Sequence, residues 1–344
     1  MMRIIGVLIL AVMLSACAVA ESSFKKVDEL VPATAAPQAK ETSFQQPLLM
    51  LGKMAKTYGT KKLYVQCERV GDDTGAGQAS GAEIPIDITE MIKTALNGIG
   101  GNVFYVPYNP NYIIGQERTG YKAPKGRITP NLVVSGAITE FDRALASTDR
   151  SLDLSIPGNT VSGGVGGGKG DTLSQITLDI NLIDYDTMTM IPRMQAVNTV
   201  TVRRGKADSM IGFELFGAAL GYKSGVKTVQ GRHAAVRALV EMSVLEVVGR
   251  YLNLPYWRFL PNSKPDAVIM DNLKSMYKAT DAKGRTMTVQ KLLTMYGYSV
   301  QPSGNTDAPT TDALRQFKTK YMQRQDANVD EETFISLYVN VPLT

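Results

Sequence analysis

The stretch Thr172 to Asp184 constrains this chain most, because it alternates without a break. Ile176, Leu178, Ile180 and Leu182 fall on one side and Thr177, Asp179 and Asn181 on the other. A period of two is the spacing of a strand with one apolar face. Two settings suit it, a one-sided sheet on a soluble core and the wall of a barrel. Upstream, Phe141 to Leu154 is polar but strand-compatible, and a glycine-rich run, Ser162 to Gly170, precedes the alternating stretch. A second pair runs from Met194 to Val202 and from Met210 to Phe216, with Arg203, Arg204, Gly205 and Lys206 as its turn. Each strand has roughly the 9–11 residues that tilted β structure needs to cross a bilayer. Two hairpins cannot close a barrel, and lipid tolerates no unpaired edge. They must therefore join those of identical neighbours in a ring or lie on a soluble core. Asp142, Arg143, Asp149, Arg150 and Asp153 speak for the soluble setting.

The segments on either side read as α/β. Leu63, Val65 and Cys67 alternate with Tyr64, Gln66 and Glu68, which predicts a half-buried strand with Cys67 facing the core. A loop of small residues, Asp72 to Gly81, leads to an amphipathic helix. Asp87 is placed to cap it, with Glu90 three residues on, and Ile88, Met91, Ile92, Ala95 and Leu96 share one face. Further strands are predicted at Val103–Val106 and Leu132–Ile138. From Arg232 to Leu252 a packing helix is expected, with Val236, Leu239, Val240, Val244 and Val247 on its apolar side. Arg237/Glu241 and Glu246/Arg250 stand at i,i+4 on it. Trp257, beside Pro255 and Tyr256, reads as a structural anchor.

At the N-terminus, Arg3 precedes an apolar run from Ile4 to Leu14 that is too short to span a bilayer, which is the pattern of a signal peptide. Leu14-Ser15-Ala16-Cys17 follows and resembles a lipobox. The small residues suit the peptidase cleft, and the Cys17 thiol accepts a diacylglyceryl group. The alternative is a secretory signal with a chance cysteine. Acyl chains contribute roughly 0.8 kcal/mol per buried methylene, enough for durable anchoring. Ala18, rather than an aspartate, directs the lipoprotein to the outer membrane. Residues 17–46, with Pro32 and Pro37 amid small and polar residues, read as a tether.

Several classes of function are excluded on composition. The chain has 37 basic and 32 acidic residues, a net charge of +5 with no basic stripe, so nucleic acid is not an expected partner. His233 is the sole histidine, which rules out multi-histidine zinc hydrolases, and no nucleophile and base can be assembled. No catalytic residue, metal or cofactor is expected. Gly163 through Gly168 with Lys169 imitate a phosphate-binding loop. Gly170, however, stands where a hydroxyl would hold magnesium, so the run reads as a hairpin tip.

The order of these features resembles the curli-production secretion channel family (CsgG-like, with holdfast-anchoring relatives). The resemblance runs from about Leu63 to Trp257, through Asp72-Asp73-Thr74-Gly75, Ile84-Pro85 to Leu96, Val134-Ser135-Gly136-Ala137-Ile138, Gln175 to Ile183, and the helix from His233. It implies a ring of identical subunits, each giving two β-hairpins to a shared transmembrane β-barrel above a periplasmic α/β domain, and so reverses the preference for a soluble sheet. It also implies passage of a surface protein or fibre subunit. The family's constriction loop corresponds to Asp72–Glu83, where the aromatic and amide residues of the curli channel have no counterparts. Gln78, Ser80 and Glu83 are the candidates to line it.

Past Pro261–Pro265 the pattern changes. Val289–Leu293, Gly297-Tyr298, Thr310–Lys318 and Asn328–Phe334 resemble a small helical peptidoglycan-binding repeat, with Leu293, Ala313, Leu314 and Phe317 as its core. The same pattern also serves protein contacts. The expected organisation is a signal peptide over 1–16, a tether over 17–46, a channel domain over 47–260, a linker over 261–285 and a separable all-α module over 286–340. A homo-oligomeric secretion pore in the outer membrane and a static anchor between that membrane and the cell wall both remain open. The expected partners are further copies of the chain, outer-membrane lipid, peptidoglycan and a surface protein.

Overall fold

The computed structural model describes residues 44–78, 84–107, 118–120, 128–145, 155–156, 159–160, 172–204, 210–217, 219, 221–223, 227–230 and 232–343. Cys17, Ser80, Glu83 and the glycine-rich run lie outside them, as does nearly all of the expected tether. Folding begins earlier than Pro47. Phe44 is buried in the core, and α1 (Gln45–Thr57) starts directly after it.

The strands are β1 (Leu63–Cys67), β2 (Gly71–Asp72), β3 (Val103–Tyr105), β4 (Leu132–Leu145), β5 (Ser155–Ile156), β6 (Asn159–Thr160), β7 (Thr172–Asp184), β8 (Thr189–Arg204), β9 (Met210–Gly217), β10 (Tyr222–Lys223) and β11 (Lys227–Gln230). Apart from the β5–β6 pair they form one open mixed sheet in the order β10-β9-β8-β7-β4-β1-β3, with β11 also on β9 and β2 also on β4. β1 is parallel to β3 and β4, and β4, β7, β8 and β9 are successively antiparallel. Two adjacent antiparallel pairs, β4–β7 and β8–β9, stand where the hairpins are expected, but β4 fuses the expected strand Leu132–Ile138 with the start of Phe141–Leu154, whose residues 146–154 lie outside the described part. The second turns later than the sequence suggests, since Arg203 and Arg204 belong to β8 and Arg204 pairs with Ile211.

The alternation of β7 is spent on protein. Ile176, Leu178, Ile180 and Leu182 are fully buried, as are Val200, Val202, Phe213 and Leu215 beside them. The covering element is α3 (Arg232–Tyr251), which packs across β7, β8 and β9. At roughly 1.5–3 kcal/mol per buried aliphatic side chain, this row alone outweighs any local strand propensity. In its described part the apolar face thus lies on the core beneath α3.

α2 (Thr89–Ile99) and α1 pack against the other side of α3, so α3 is not the amphipathic helix its stripe predicts. Every residue from Ala238 to Arg250 is buried, Glu241, Glu246 and Arg250 included. Helix α2 begins one residue after the expected capping region. Asp87 accepts from the Thr89 amide at 2.8 Å, and the Thr89 hydroxyl accepts from Val70 N at 2.9 Å, tying the helix to the β1–β2 connection. A Cβ on Gly52 would sit 1.9 Å from the Ile99 carbonyl, so α1 reaches the end of α2 only because residue 52 has no side chain.

The chain continues through a 3₁₀ turn (Tyr256–Phe259) into α4 (Ala267–Ala279), α5 (Ala282–Met295), α6 (Ala308–Met322) and α7 (Glu331–Val339). Residues 261–285, expected as a linker, carry α4 and the first turn of α5. Nor does the terminal module stand apart, because residues 42–344 form one compact unit. Tyr58 donates its hydroxyl to the Tyr338 carbonyl, and Arg258 donates to the Val341 carbonyl at 2.8 Å. No helix among the described residues is long and apolar enough to cross a membrane.

Candidate functional site

Three features converge on one end of the sheet. The last described pair of the first hairpin is Leu145 with Thr172, that of the second is Arg204 with Ile211, and Thr172 also pairs with Arg204. Both hairpins therefore open side by side. β2 runs parallel to β4 toward this same end, and Asp73 N donates to the Ile138 carbonyl at 3.1 Å. The loop that follows Asp72 accordingly leaves the sheet on the side of the hairpin openings.

The stem of that loop is held by Asp72. One carboxylate oxygen accepts from Thr74 N at 2.9 Å and from the Thr74 hydroxyl at 2.5 Å, and the other from Gly77 N at 2.7 Å. Burial would raise this carboxyl, but the hydrogen bonds from Thr74, Gly77 and Gly75 together hold it below the ordinary range. On the return side, Asp72 N donates to the Ile86 carbonyl at 3.0 Å. A Cβ at Gly77 would lie 3.0 Å from the Ile84 carbonyl and 3.1 Å from an Asp72 carboxylate oxygen, so the two legs of the loop approach through a glycine. Gln78 is exposed, its amide donating to the Gly75 carbonyl at 3.2 Å. It is the one candidate lining residue that falls within the described part.

The sheet face opposite α3 is polar along the hairpins. Thr177 donates to Glu140 at 2.8 Å and lies 3.0 Å from the Thr199 hydroxyl. Gln175, Thr201 and Glu214 form the next cross-strand row. Burial raises the Asp179 carboxyl, opposed by a hydrogen bond from Thr139 and reinforced by the Glu140 charge.

At the far side, Leu293, Ala313, Leu314 and Phe317 are buried together with Val289, Phe334 and Leu337 in a second core belonging to α5, α6 and α7. Each of two helices opens on the same cap. Asp307 accepts from Thr310 N at 3.0 Å, and Asp330 from Thr333 N at 2.8 Å. This recurring Asp-x-x-Thr was legible in the sequence and marks two helix starts. Lys318, wholly buried, pairs with Asp326 and stands 3.6 Å from Asp330, while Arg324 joins Asp326, Asp330 and Glu332. Pro265, Met270, Glu331, Ile335 and Val339 line an open cleft of about 400 Å³.

Helix α4, whose Ile269 and Leu273 belong to the main core, is bound to the sheet domain by a buried polar network that periodicity cannot reveal. Arg250 donates to Glu246 at 2.7 Å, to Asp266 at 2.7 and 3.0 Å, and to the Gln195 carbonyl of β8. Asn198 donates to Glu246 at 2.9 Å and to Ser243 at 3.0 Å, and Tyr256 donates to Asp266 at 2.5 Å. Asp266 also caps α4 through Val268 N. Burial pushes Glu246 up, opposed by the Arg250 charge and the Asn198 hydrogen bond. Burial works the same way on Asp266, but the hydrogen bonds from Arg250 and Tyr256 leave it below the ordinary range. The i,i+4 spacing of Glu246 and Arg250 was the one sequence signal of this network, and it does not say that the pair is buried.

Cys67 is buried, with its thiol pushed up to about 12 by burial, and it contacts the Glu68 carbonyl. His233 is exposed at the start of α3. No group of three or more His, Cys, Asp and Glu residues among the described residues is placed to hold a metal. Comparison of the chain with models of protein families and with curated proteins finds no match.

Proposed function

We propose that this chain is an outer-membrane lipoprotein, anchored through Cys17, that assembles with copies of itself into a ring or pore for secretion or assembly of a surface protein. One observation carries the reading. Two adjacent antiparallel hairpins and the Asp72 loop all leave the same end of one sheet, while the helical module docks elsewhere on the body. A ring of such subunits brings the loops together around an axis with the hairpins beyond them. The exposed Glu140 and partly exposed Thr199 suit a wetted surface, and the module suits contact with the cell wall on the periplasmic side.

A second reading, a static anchor without transport, has its own support. α3 covers the apolar face of β7, β8 and β9 as far as Ser174, Val202 and Phe213, which uses up for a soluble core much of what a barrel wall would need. Conductance of the detergent-extracted protein in planar bilayers separates the two. Discrete channel openings carried by a ring-sized oligomer support the pore, and a ring without conductance supports the anchor. The Cys17→Ala variant should lose lipid labelling and outer-membrane fractionation. Retention of both would overturn the lipoprotein assignment.

A further inference from the structure

At the sheet end opposite the hairpin openings, the segment from Phe44 into β1 carries charge of a single sign. Residues 44–67 hold Lys53, Lys56, Lys61 and Lys62 and neither aspartate nor glutamate. All four lysines are exposed. Lys53 and Lys56 fall on the solvent face of α1 at four and seven residues beyond Leu49, itself half exposed. Lys61 and Lys62 follow the turn after α1 and lead into β1, which runs from here toward the hairpin openings. Thr60 N donates to the Ala55 carbonyl at 3.0 Å, so the chain turns at the end of α1 between the two lysine pairs. Lys62 Nζ stands 6.0 Å over the partly exposed Phe104 ring. Arg258 adds a fifth cation beside Tyr58.

Among the described residues none of these four lysines takes part in an ion pair, although Lys93, Lys223 and Lys318 do. The nearest turn carboxylates along this end of the sheet, Asp184 and Asp186, lie two strands from β1, about 10 Å across at ordinary strand spacing. Asp184 is engaged by Thr187 at 2.8 and 2.9 Å. Four like charges on so small an area repel one another and gain from an anionic partner that supplies several charges at once.

We infer that Lys53, Lys56, Lys61 and Lys62 form a docking face for a carboxylate-bearing wall polymer, the peptide stems of peptidoglycan, beside the helical module. The inference rests on the orientation proposed above, in which the hairpin end faces the membrane. The module meets the same surface, since Tyr58, between the two lysine pairs, packs edge-on against Tyr338 at 5.1 Å. A phospholipid leaflet would face the opposite end of the sheet. Such a polymer would be held by the module for position and by the lysines through salt-dependent attraction.

Sedimentation of the full-length protein with purified sacculi tests this. At low salt, K53Q/K56Q/K61Q/K62Q should bind at least about fivefold more weakly than wild type, at up to a few-fold per exposed charge contact, while K53R/K56R/K61R/K62R keeps wild-type binding. At 0.5 M salt, where screening acts over ~4 Å, the two should converge, and sacculi with amidated carboxyls should not tell them apart. Equal, salt-insensitive binding of both forms overturns this inference and leaves the module's wall contact standing. Failure of wild type to bind at any salt overturns both. Loss of flotation with phosphatidylglycerol vesicles in the glutamine variant, with sacculus binding unchanged, reassigns the face to lipid and overturns it too.

Discussion

Replacing Asp266 tests whether the terminal helices are an appendage or part of the fold. Its carboxylate accepts from Arg250 twice, from Tyr256 once and from the Val268 amide at the start of α4, with no exposed surface. Asp266→Ala breaks a buried ion pair, a loss of about 3–5 kcal/mol, and removes a helix cap worth ~1 kcal/mol. Because one group supplies both, about 4–5 kcal/mol is expected in total, a large share of the 5–15 kcal/mol typical of a domain. Asp266→Asn keeps one acceptor oxygen, enough for the cap, but its amide NH2 cannot accept from Arg250 or Tyr256, so it should recover only the ~1 kcal/mol of the cap relative to alanine. Trp257, the sole tryptophan, is buried edge-on to Tyr256 at 5.9 Å, and its fluorescence during urea unfolding reads both variants. The pH dependence supplies a second check. The folded Asp266 carboxyl lies below its unfolded value, so its contribution is present above the unfolded value and lost as pH falls through the folded one. The alanine variant should lack that acid-side loss. A variant within about 1 kcal/mol of wild type would refute the argument that this network joins the two parts.

Other outcomes follow from the same packing. Truncation after Ser263 should give an aggregating or partly unfolded protein by size-exclusion chromatography, because it strips Asp266 from Arg250 and the α7 residue Tyr338 from Tyr58. A monodisperse truncated ring would mean the module is separable after all. Burial raises the Glu241 carboxyl to about 7, so wild-type stability should fall as pH rises from 4.5 toward 7 and level off above. Glu241→Gln should flatten that slope and be the more stable form at pH 8, by about 2–3 kcal/mol; parallel pH profiles of the two would contradict it. Cys67, with its thiol near 12, should resist a disulfide-exchange reagent at pH 8 until urea unfolds the chain. Rapid labelling of the native protein would show that its strand opens.

Much of this molecule was legible because the information is local. The two-residue period of Thr172–Asp184, the Leu63/Val65/Cys67 strand, the stripe of α2 and the core positions Leu293, Leu314 and Phe317 each state which face turns inward, and those side chains are buried, Met91 of α2 only partly. Periodicity says that a face is covered without saying by what. That β7 meets α3, that α3 has no solvent face because α1 and α2 close its other side, and that residues 261–285 continue the fold are decided by packing between segments far apart in the chain. Charged residues show the limit most clearly. Glu246, Arg250 and Lys318 carry the signature of surface positions, since an isolated charge in an apolar interior costs too much to be expected there. Only the tertiary structure brings Asp266 to Arg250 and Asp326 to Lys318, and it is the arrival of a partner in the same low-dielectric space that makes their burial tolerable.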